Sequence, residues 1–564
     1  MQIDGGAVAT TAAADQNQLS YDRGPIAPAL LEMTIGANLA ATASQCESRD
    51  ALVDVRSGRR WSYAQLLTDV RQLATGLVRA GIGRGDRVGI WAPNRWEWVL
   101  VQYATAEIGA ILVTINPAYQ ARELEYALRQ SGVAMVIAAS GFKGSDYAAI
   151  LAEVAPGCPE LHDVVFLDGD GWAKLAGSGA DLVALQEIAT TLSADDPINI
   201  QYTSGTTGFP KGVTLSHRNI LNNGYLVGEL IEYTAEDRIC IPVPFYHCFG
   251  MVMGNLAATS HGACMVIPAP GFDPAATLRA VQDERCTSLY GVPTMFIAEL
   301  GLADFATYDL SSLRTGIMAG STCPVEVMRK VIDQMHMAGI SICYGMTETS
   351  PVATQTRSND SLQRRVTTVG RVGPRAPAFP GVGPHLEIKV VDPATGRVVP
   401  RGTAGEFCTR GYSVMPGYWK APERTAEVID PEGWMHTGDL ALMDECGYVQ
   451  ITGRIKDIVV RGGENISPRE IEEFLHSHSD IVDAHVVGVP DERMGEELMA
   501  VVNLRAGAPE LTTGLLREYC AGQIAKFKIP RYLRLVDEFP MTVTGKVRKV
   551  EMRQQAIEYL RGQH

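Results

Sequence analysis

Asn199-Ile-Gln-Tyr-Thr-Ser-Gly-Thr-Thr-Gly-Phe-Pro-Lys-Gly212 is the stretch that decides how this chain is read. Its first four residues predict a short buried strand. The strand runs into a loop, and from Thr203 to Gly212 stand four hydroxyls, three glycines and one lysine. Glycine lets backbone N–H groups turn inward with no Cβ penalty. Thr203, Ser204, Gly205, Thr206, Thr207 and Gly208 are the residues expected to form such a nest. With the Lys211 ammonium it suits the β- and γ-phosphates of a nucleotide. A flexible surface loop would account for the Gly and Thr but not for the whole set. The P-loop pattern needs Gly before its Lys and Ser or Thr after it. Pro210 and Gly212 occupy those positions, so that reading fails at both flanks.

Strand and helix signals alternate on either side of this loop. Ser62 followed by Gln65 reads as a capping box. Leu66, Leu67, Val70, Leu73, Ala74 and Leu77 repeat at helical spacing until Gly81. Arg87–Trp91 reads as a buried strand, Ala104–Val113 as a helix-to-strand passage, and Glu123–Gln130 as a helix. This alternation predicts parallel sheets covered by helices. After about Arg371 the texture changes to Gly- and Pro-rich turns between short strands at Leu386–Val391, Glu406–Thr409 and Tyr448–Ile451, which suggests a small β-barrel subdomain. Past Arg454 a compact α+β module begins. Ser467-Pro-Arg-Glu470 reads as a helix start, with Ser as N-cap, Pro at the first position and Glu completing the box. The expected domains are a loose tail over 1–30, a large α/β domain over 31–455 and a smaller α+β domain over 456–564.

The chain has 564 residues, which exceeds one ordinary core. Hydrophobic residues make up 46% and charged residues 20%, a soluble globular profile. A net charge of −15 argues against nucleic acid as a partner, because such binders need basic surface. The eleven cysteines include no Cys-x-x-Cys, so neither a zinc site nor a disulfide framework is expected. The first residues carry no signal-peptide pattern, and cytoplasmic localisation is the expectation. The most apolar stretch, Trp96 to Ala118, is broken by Glu97, Gln102, Glu107 and Asn116, so no membrane span is expected. A peripheral membrane contact and a homodimer remain compatible with this composition.

Four further motifs follow in order. Tyr344-Gly-Met-Thr-Glu-Thr-Ser-Pro351 sets a carboxylate beside a hydroxyl, a pair able to hold Mg²⁺ against phosphate oxygens, since that ion takes few protein ligands. Gly433-Trp-Met-His-Thr-Gly-Asp439 and Gly453-Arg-Ile-Lys-Asp457 come next. Pro540-Met-Thr-Val-Thr-Gly-Lys-Val-Arg-Lys549 is the last. Each alone reads as a solvated turn or ordinary surface charge. Pro244–Gly250 and Ala319–Pro324 are apolar. Cys248 and Cys323 lack a His/Asp pattern and read as packing residues. His476-Ser-His478 has no third ligand near it in sequence and is set aside as a metal site.

Together the motifs resemble the adenylate-forming (AMP-binding) superfamily, from about residue 30 to about 555. Gly109–Gln120 and Arg410–Trp419 look most like fatty acyl-CoA synthetases, especially the medium-chain branch. The resemblance implies a large N-terminal domain of two doubly wound α/β subdomains plus a β-barrel, followed by a mobile α+β domain. It implies ATP, Mg²⁺ and CoA as cofactor and co-substrates, and acid activation through an acyl-adenylate. Thr347 would touch phosphate, Glu348 would bind the metal, and Tyr344, with Gly320, Gly345 and Met346, would flank the nucleotide. Asp439 would accept the ribose hydroxyls, and Arg454 would contact the nucleotide. Lys456 would be the hinge. Lys546 would bridge the attacking carboxylate and the α-phosphate. Arg461–Asn465, with Gly462, Gly463 and Glu464, would shape the CoA tunnel, and His247 would lie near the acid. Pro244–Gly250 and Ala319–Pro324 resemble the segments lining the acyl pocket and carry no obvious cation for a second carboxylate, which favours a hydrophobic monocarboxylic acid, with a medium to long chain as the expectation. An aryl-acid CoA ligase, an acyl-AMP ligase loading a carrier protein, and an inactive acyl or nucleotide sensor are the competing readings.

Overall fold

The structure is a computed structural model that describes residues 18–203, 210–320, 323–372, 385–462, 464–541 and 547–562. They fall into two compact units. The larger is formed by Arg23–Glu387 and Thr409–Met435, the other by Met1–Asp22, Ile388–Cys408 and His436–His564. The boundary expected near Lys456 therefore falls inside the second unit.

Two sheets organise the larger unit. One is seven-stranded, in the order Gly417–Tyr418, Lys211–Ser216, Pro197–Thr203, Ile111–Thr114, Arg87–Trp91, Met135–Ala138 and Asp163–Phe166. Its inner pairs are parallel, as strand–helix alternation requires, while Lys211–Ser216 turns back antiparallel on Pro197–Thr203. That hairpin holds both ends of the hydroxyl-rich loop, with Thr203 paired to Lys211. The other sheet is eight-stranded, and its strand Gly339–Gly345 ends antiparallel against Val352–Gln355.

Local sequence explains the helices around them. The Ser62 hydroxyl accepts from Gln65 N–H, and Gln65 returns the bond to Ser62 N–H, starting the helix Tyr63–Arg79. The apolar run from Trp96 makes the helix Trp96–Ile108, with every residue after Trp96 buried. A helix buried on every side belongs in a core, its few polar residues included, and no helix among the described residues is long and apolar enough to cross a membrane.

The second unit carries most of a five-stranded sheet in the order Tyr21–Arg23, Leu386–Val391, Gly405–Gly411, Met435–Met443 and Val449–Arg454. A further sheet there is built on the long antiparallel pair Ile481–Asp491 and Gly495–Leu504. Two sequence expectations need correction. The loose tail does not reach residue 30, because Ser20 is fully buried, donates its N–H to Val399 O, and leads into the strand Tyr21–Arg23. Ser467 starts the helix Pro468–Leu475 but makes no capping bond, because its hydroxyl donates to Thr452 O instead. A tertiary acceptor displaces the local one, and Pro468 at the first position carries the helix start.

Candidate active site

Ser204, Gly205, Thr206, Thr207, Gly208, Gly463 and Lys546 lie outside the described residues. The anchors of the first loop are described. Thr203 ends the strand Pro197–Thr203, and Lys211 opens the next. Pro210 O accepts from the Tyr126 hydroxyl at 3.1 Å, and Gly212 O accepts from Trp419 N–H at 2.7 Å. Trp419 O in turn accepts from Gln130 Nε2 at 2.7 Å. The end of the loop is thus tied to the short strand Gly417–Tyr418.

This tie brings Tyr418 between two predicted site residues. Its hydroxyl donates to Glu348 Oε1 at 2.9 Å, and the Lys211 ammonium lies 4.7 Å from its ring centroid. Tyr418 and Glu348 are both buried. Burial first, and then the Glu348 charge, push the Tyr418 hydroxyl upward, so it remains a donor. Glu348 sits with Thr347 on a short buried turn of 3₁₀ helix, Thr347–Thr349. Its backbone O accepts from Met415 N–H at 3.0 Å, a second link to the same segment. One oxygen of Glu348 is therefore fixed by a neutral donor. A carboxylate so held is the oxygen ligand Mg²⁺ uses when it keeps most of its waters, so this residue fits that ion.

The neighbours of Glu348 are set by tight backbone. Tyr344 and Gly345 end the strand Gly339–Gly345, with Tyr344 opposite Thr354. A Cβ on Gly345 would lie 1.7 Å from Pro351 O, so only glycine fits. Met346 N–H is held by the Thr349 hydroxyl at 3.0 Å. Gly320 has φ +97, open to glycine and unfavourable for other residues.

His247 is half-buried at the start of a π-helical stretch, Phe249–Leu256, its ring 4.8 Å from that of Tyr246. The next residue, Cys248, donates both N–H and Sγ–H to Gln201 Oε1, on the strand that feeds the phosphate loop. Burial pushes the Cys248 thiol well up, and the charge of Glu348 adds to this, so it is no nucleophile.

The second unit holds the remaining set. Asp439 and Arg454 face each other across the pair Met435–Met443 and Val449–Arg454, with Arg454 Nε 2.7 Å from Asp439 Oδ1. Asp439 is buried, whereas the Arg454 side chain is 58% exposed. Arg461 grips buried Glu497 through two bonds, at 2.6 and 2.9 Å. Gly462 has φ +59 and donates its N–H to Met494 O, and Glu464 opens the strand paired with Val459–Arg461. Lys456 lies on a turn of 3₁₀ helix, Ile455–Asp457.

Tyr418 was missed by the sequence reading although it lies inside a quoted motif, because its partner Glu348 is 70 residues away. Glu406 was missed too. Its carboxylate accepts Gly438 N–H at 3.0 Å and meets His436 Nδ1 at 2.8 Å, bracing the strand segment that leads to Asp439.

A nucleotide-handling α/β enzyme is the class that this fold and these residues define. Residues 39–419 match the AMP-binding enzyme family and residues 470–546 match the AMP-binding enzyme C-terminal domain. The chain belongs to this family, and its place there is among the acyl-CoA synthetases. It is 49% identical to a putative acyl-CoA synthetase, YngI, of Bacillus subtilis, over 94% of this chain and 98% of that one. It is 45% identical to the mitochondrial medium-chain acyl-CoA ligase ACSF2 of Danio rerio, over 96% and 91% of the two chains. Among solved structures, ATP-bound MatB of Rhodopseudomonas palustris superposes with a TM-score of 0.82 at 30% identity, covering 94% of this chain and all of that one.

Proposed function

We propose that the enzyme is an ATP-dependent fatty acid–CoA ligase acting on medium-chain acids. The single observation that carries the reading is the Lys211–Tyr418–Glu348 group. It sets the Lys211 ammonium and the Glu348 carboxylate on one buried tyrosine, with Lys211 at the start of the strand that follows the hydroxyl-rich loop, in a chain related over nearly its whole length to acyl-CoA ligases.

The chemistry follows from the poor leaving group of a free carboxylate. One carboxylate oxygen attacks the α-phosphorus of ATP, the bond to the β-phosphate oxygen breaks, and diphosphate leaves. The CoA thiolate then attacks the acyl carbon, and AMP departs with the oxygen that came from the acid. Glu348 would hold Mg²⁺, whose chemistry there would be to neutralise phosphate charge. Thr203, Ser204, Gly205, Thr206, Thr207, Gly208 and Lys211 take the diphosphate end. Gly320, Tyr344, Gly345, Met346 and Thr347 line the nucleotide, and Asp439 and Arg454 hold the ribose side. Lys546 balances charge on the α-phosphate as it develops. Gly462, Gly463 and Glu464 pass the pantetheine arm, with Lys456 as hinge, and His247 borders the acid. The apolar π-helical stretch after His247 supports a hydrophobic acyl chain. All eleven cysteines are free, in keeping with a reducing compartment such as the cytoplasm.

The test is diphosphate release over a panel of straight-chain and aromatic acids, with and without CoA. The reading predicts a maximum among medium-chain acids and a CoA thioester as product. A preference for aromatic acids, or adenylate formation with no thioester, would replace it with one of the other ligase readings. Sedimentation and vesicle flotation test the two remaining partner expectations, a homodimer and a peripheral membrane contact.

A further inference from the structure

Zinc-type spacing is missing from the linear sequence, yet among the described residues one cluster of metal-ligating side chains is brought together by the sheet. Glu406 and Cys408 are two apart on the strand Gly405–Gly411, and that spacing sets them on one face. His436 stands on the neighbouring strand Met435–Met443. A carboxylate oxygen, a thiol sulfur and an imidazole nitrogen from these three all lie within 4.8 Å of one another. His436 Nδ1 is 2.8 Å from Glu406 Oε2 and 3.5 Å from Cys408 Sγ.

We propose that Glu406, Cys408 and His436 form a binding site for a borderline-soft divalent cation of the Zn²⁺ class, and that its occupation disturbs the strand segment Thr437–Asp439.

The donor set selects the ion. Thiolate and imidazole with one carboxylate suit Zn²⁺ or Co²⁺, and they disfavour Mg²⁺ and Ca²⁺, which take oxygen ligands. The geometry is close to what such an ion needs. Bond lengths of roughly 2.0–2.3 Å in a tetrahedral centre put N and O donors about 3.3 Å apart and N and S donors about 3.6 Å apart. The Cys408–His436 distance already meets that requirement. The Glu406–His436 distance has to open slightly, which a turn of the carboxylate provides. Three protein ligands leave a fourth position for water. Access exists through His436, whose side chain is 34% exposed, while Cys408 lies buried beneath it. Binding replaces the proton of the Cys408 thiol and the hydrogen bond at His436 Nδ1, so affinity should fall with acidity.

The coupling comes from the other oxygen of Glu406. Oε1 accepts Gly438 N–H at 3.0 Å, and the Thr437 hydroxyl donates to Phe407 O at 2.7 Å, between the two ligand-bearing residues of the strand. Gly438 sits at φ +72 directly before Asp439. Turning the Glu406 carboxylate onto a metal pulls on this strand segment. This second half of the proposal rests on Asp439 as the ribose ligand, whereas the binding half does not.

The experiment titrates full-length protein, free of nucleotide and Mg²⁺, with Co²⁺ and follows thiolate-to-metal charge transfer. Zn²⁺ displacement then gives the zinc affinity. The expected result is one thiolate-bearing Co²⁺ per chain, with Cys408→Ser losing the charge-transfer band and weakening binding by roughly 100-fold or more. Loss of an outer-sphere partner alone costs about 10- to 100-fold, and this variant removes a ligand. Cys408→Ala and Glu406→Gln, each checked by thermal melting, guard against a fold defect in one variant. No charge-transfer band, or an unchanged band in Cys408→Ser, would overturn the site and leave the three residues as a hydrogen-bonded brace. In the second arm, Zn²⁺ should raise the KM for ATP in the wild type and much less in Cys408→Ser. If the metal binds as described but the KM for ATP is unmoved, the coupling is wrong and the site stands.

Discussion

Replacing Tyr418 with Phe removes one oxygen atom and leaves the ring in place. The lost atom donates to Glu348 Oε1 at 2.9 Å, and both residues are buried, so water is a poor substitute. A hydrogen bond to a charged group contributes about 1.5–3 kcal/mol. Loss of an outer partner of a metal ligand lowers metal affinity or activity by about 10- to 100-fold. At roughly 1.4 kcal/mol per factor of ten, that is about 1.4–2.7 kcal/mol, so the two routes agree. Tyr418→Phe should therefore lower kcat/KM for acid-dependent diphosphate release by about 10- to 100-fold at limiting Mg²⁺, with partial recovery as Mg²⁺ is raised. The Lys211 ammonium keeps its ring, 4.7 Å away in the wild type. Tyr418→Leu should add a further loss of about 0.5–2 kcal/mol that Mg²⁺ does not rescue, because the cation–ring attraction goes too. The assay is diphosphate release over a Mg²⁺ series, with a thermal melt of each variant. If Tyr418→Phe loses activity by the same factor at every Mg²⁺ concentration, Tyr418 is not acting through the metal ligand. If it loses none, the hydroxyl does not position Glu348 in the working enzyme.

Three other predictions are independent of that one. Burial holds the His217 imidazole down at about 4, against an ordinary value of 6.5, and its Nδ1 accepts Ile35 N–H. Between those values the unfolded histidine binds a proton that the folded one does not. Stability is thus intact above pH 6.5 and falls as the pH drops toward 4, by up to ~3 kcal/mol. Denaturant melts across that window should show wild type losing up to about this much more stability than His217→Gln between pH 6.5 and 4. Arg461→Ala should cost the unit that contains it about 3–5 kcal/mol, because Glu497 would be left as a poorly paired buried charge. Limited proteolysis of residues 459–535 should report it, and Glu497→Gln should soften the loss. Lys546→Ala should cut adenylation by about 100-fold or more while leaving thioester formation from supplied acyl-AMP largely intact, the scale of one transition-state contact. Equal loss in both half-reactions would sink this assignment.

The parts of this molecule legible in its sequence are those fixed by neighbours along the chain. The Ser62–Gln65 box, the strand Arg87–Trp91 and the helix-to-strand passage within Ala104–Val113 all formed as patterned, because caps and periodicity act within a few residues. The phosphate loop and Glu348 were named from their own motifs. What was not legible depends on groups far apart in sequence. Tyr418 reads as one more aromatic until the strand Gly417–Tyr418 pairs with Lys211–Ser216 and brings its hydroxyl to Glu348. Ser467 has every local mark of a capping residue, but Thr452 O lies close enough to take its hydroxyl. The Glu406–Cys408–His436 cluster has no linear spacing to betray it, since the sheet and not the chain sets the third member beside the other two.

Oxygen transfer from the acid tests the central claim most directly. An acyl-adenylate forms only if a carboxylate oxygen becomes bonded to the α-phosphorus, and that oxygen leaves with AMP when the CoA thiolate attacks. Octanoate labelled with heavy oxygen in both carboxylate positions, incubated with the enzyme, ATP, Mg²⁺ and CoA, should give octanoyl-CoA and AMP carrying one labelled oxygen, with none in diphosphate. Label in diphosphate or orthophosphate, or a CoA thioester formed with unlabelled AMP, would contradict it.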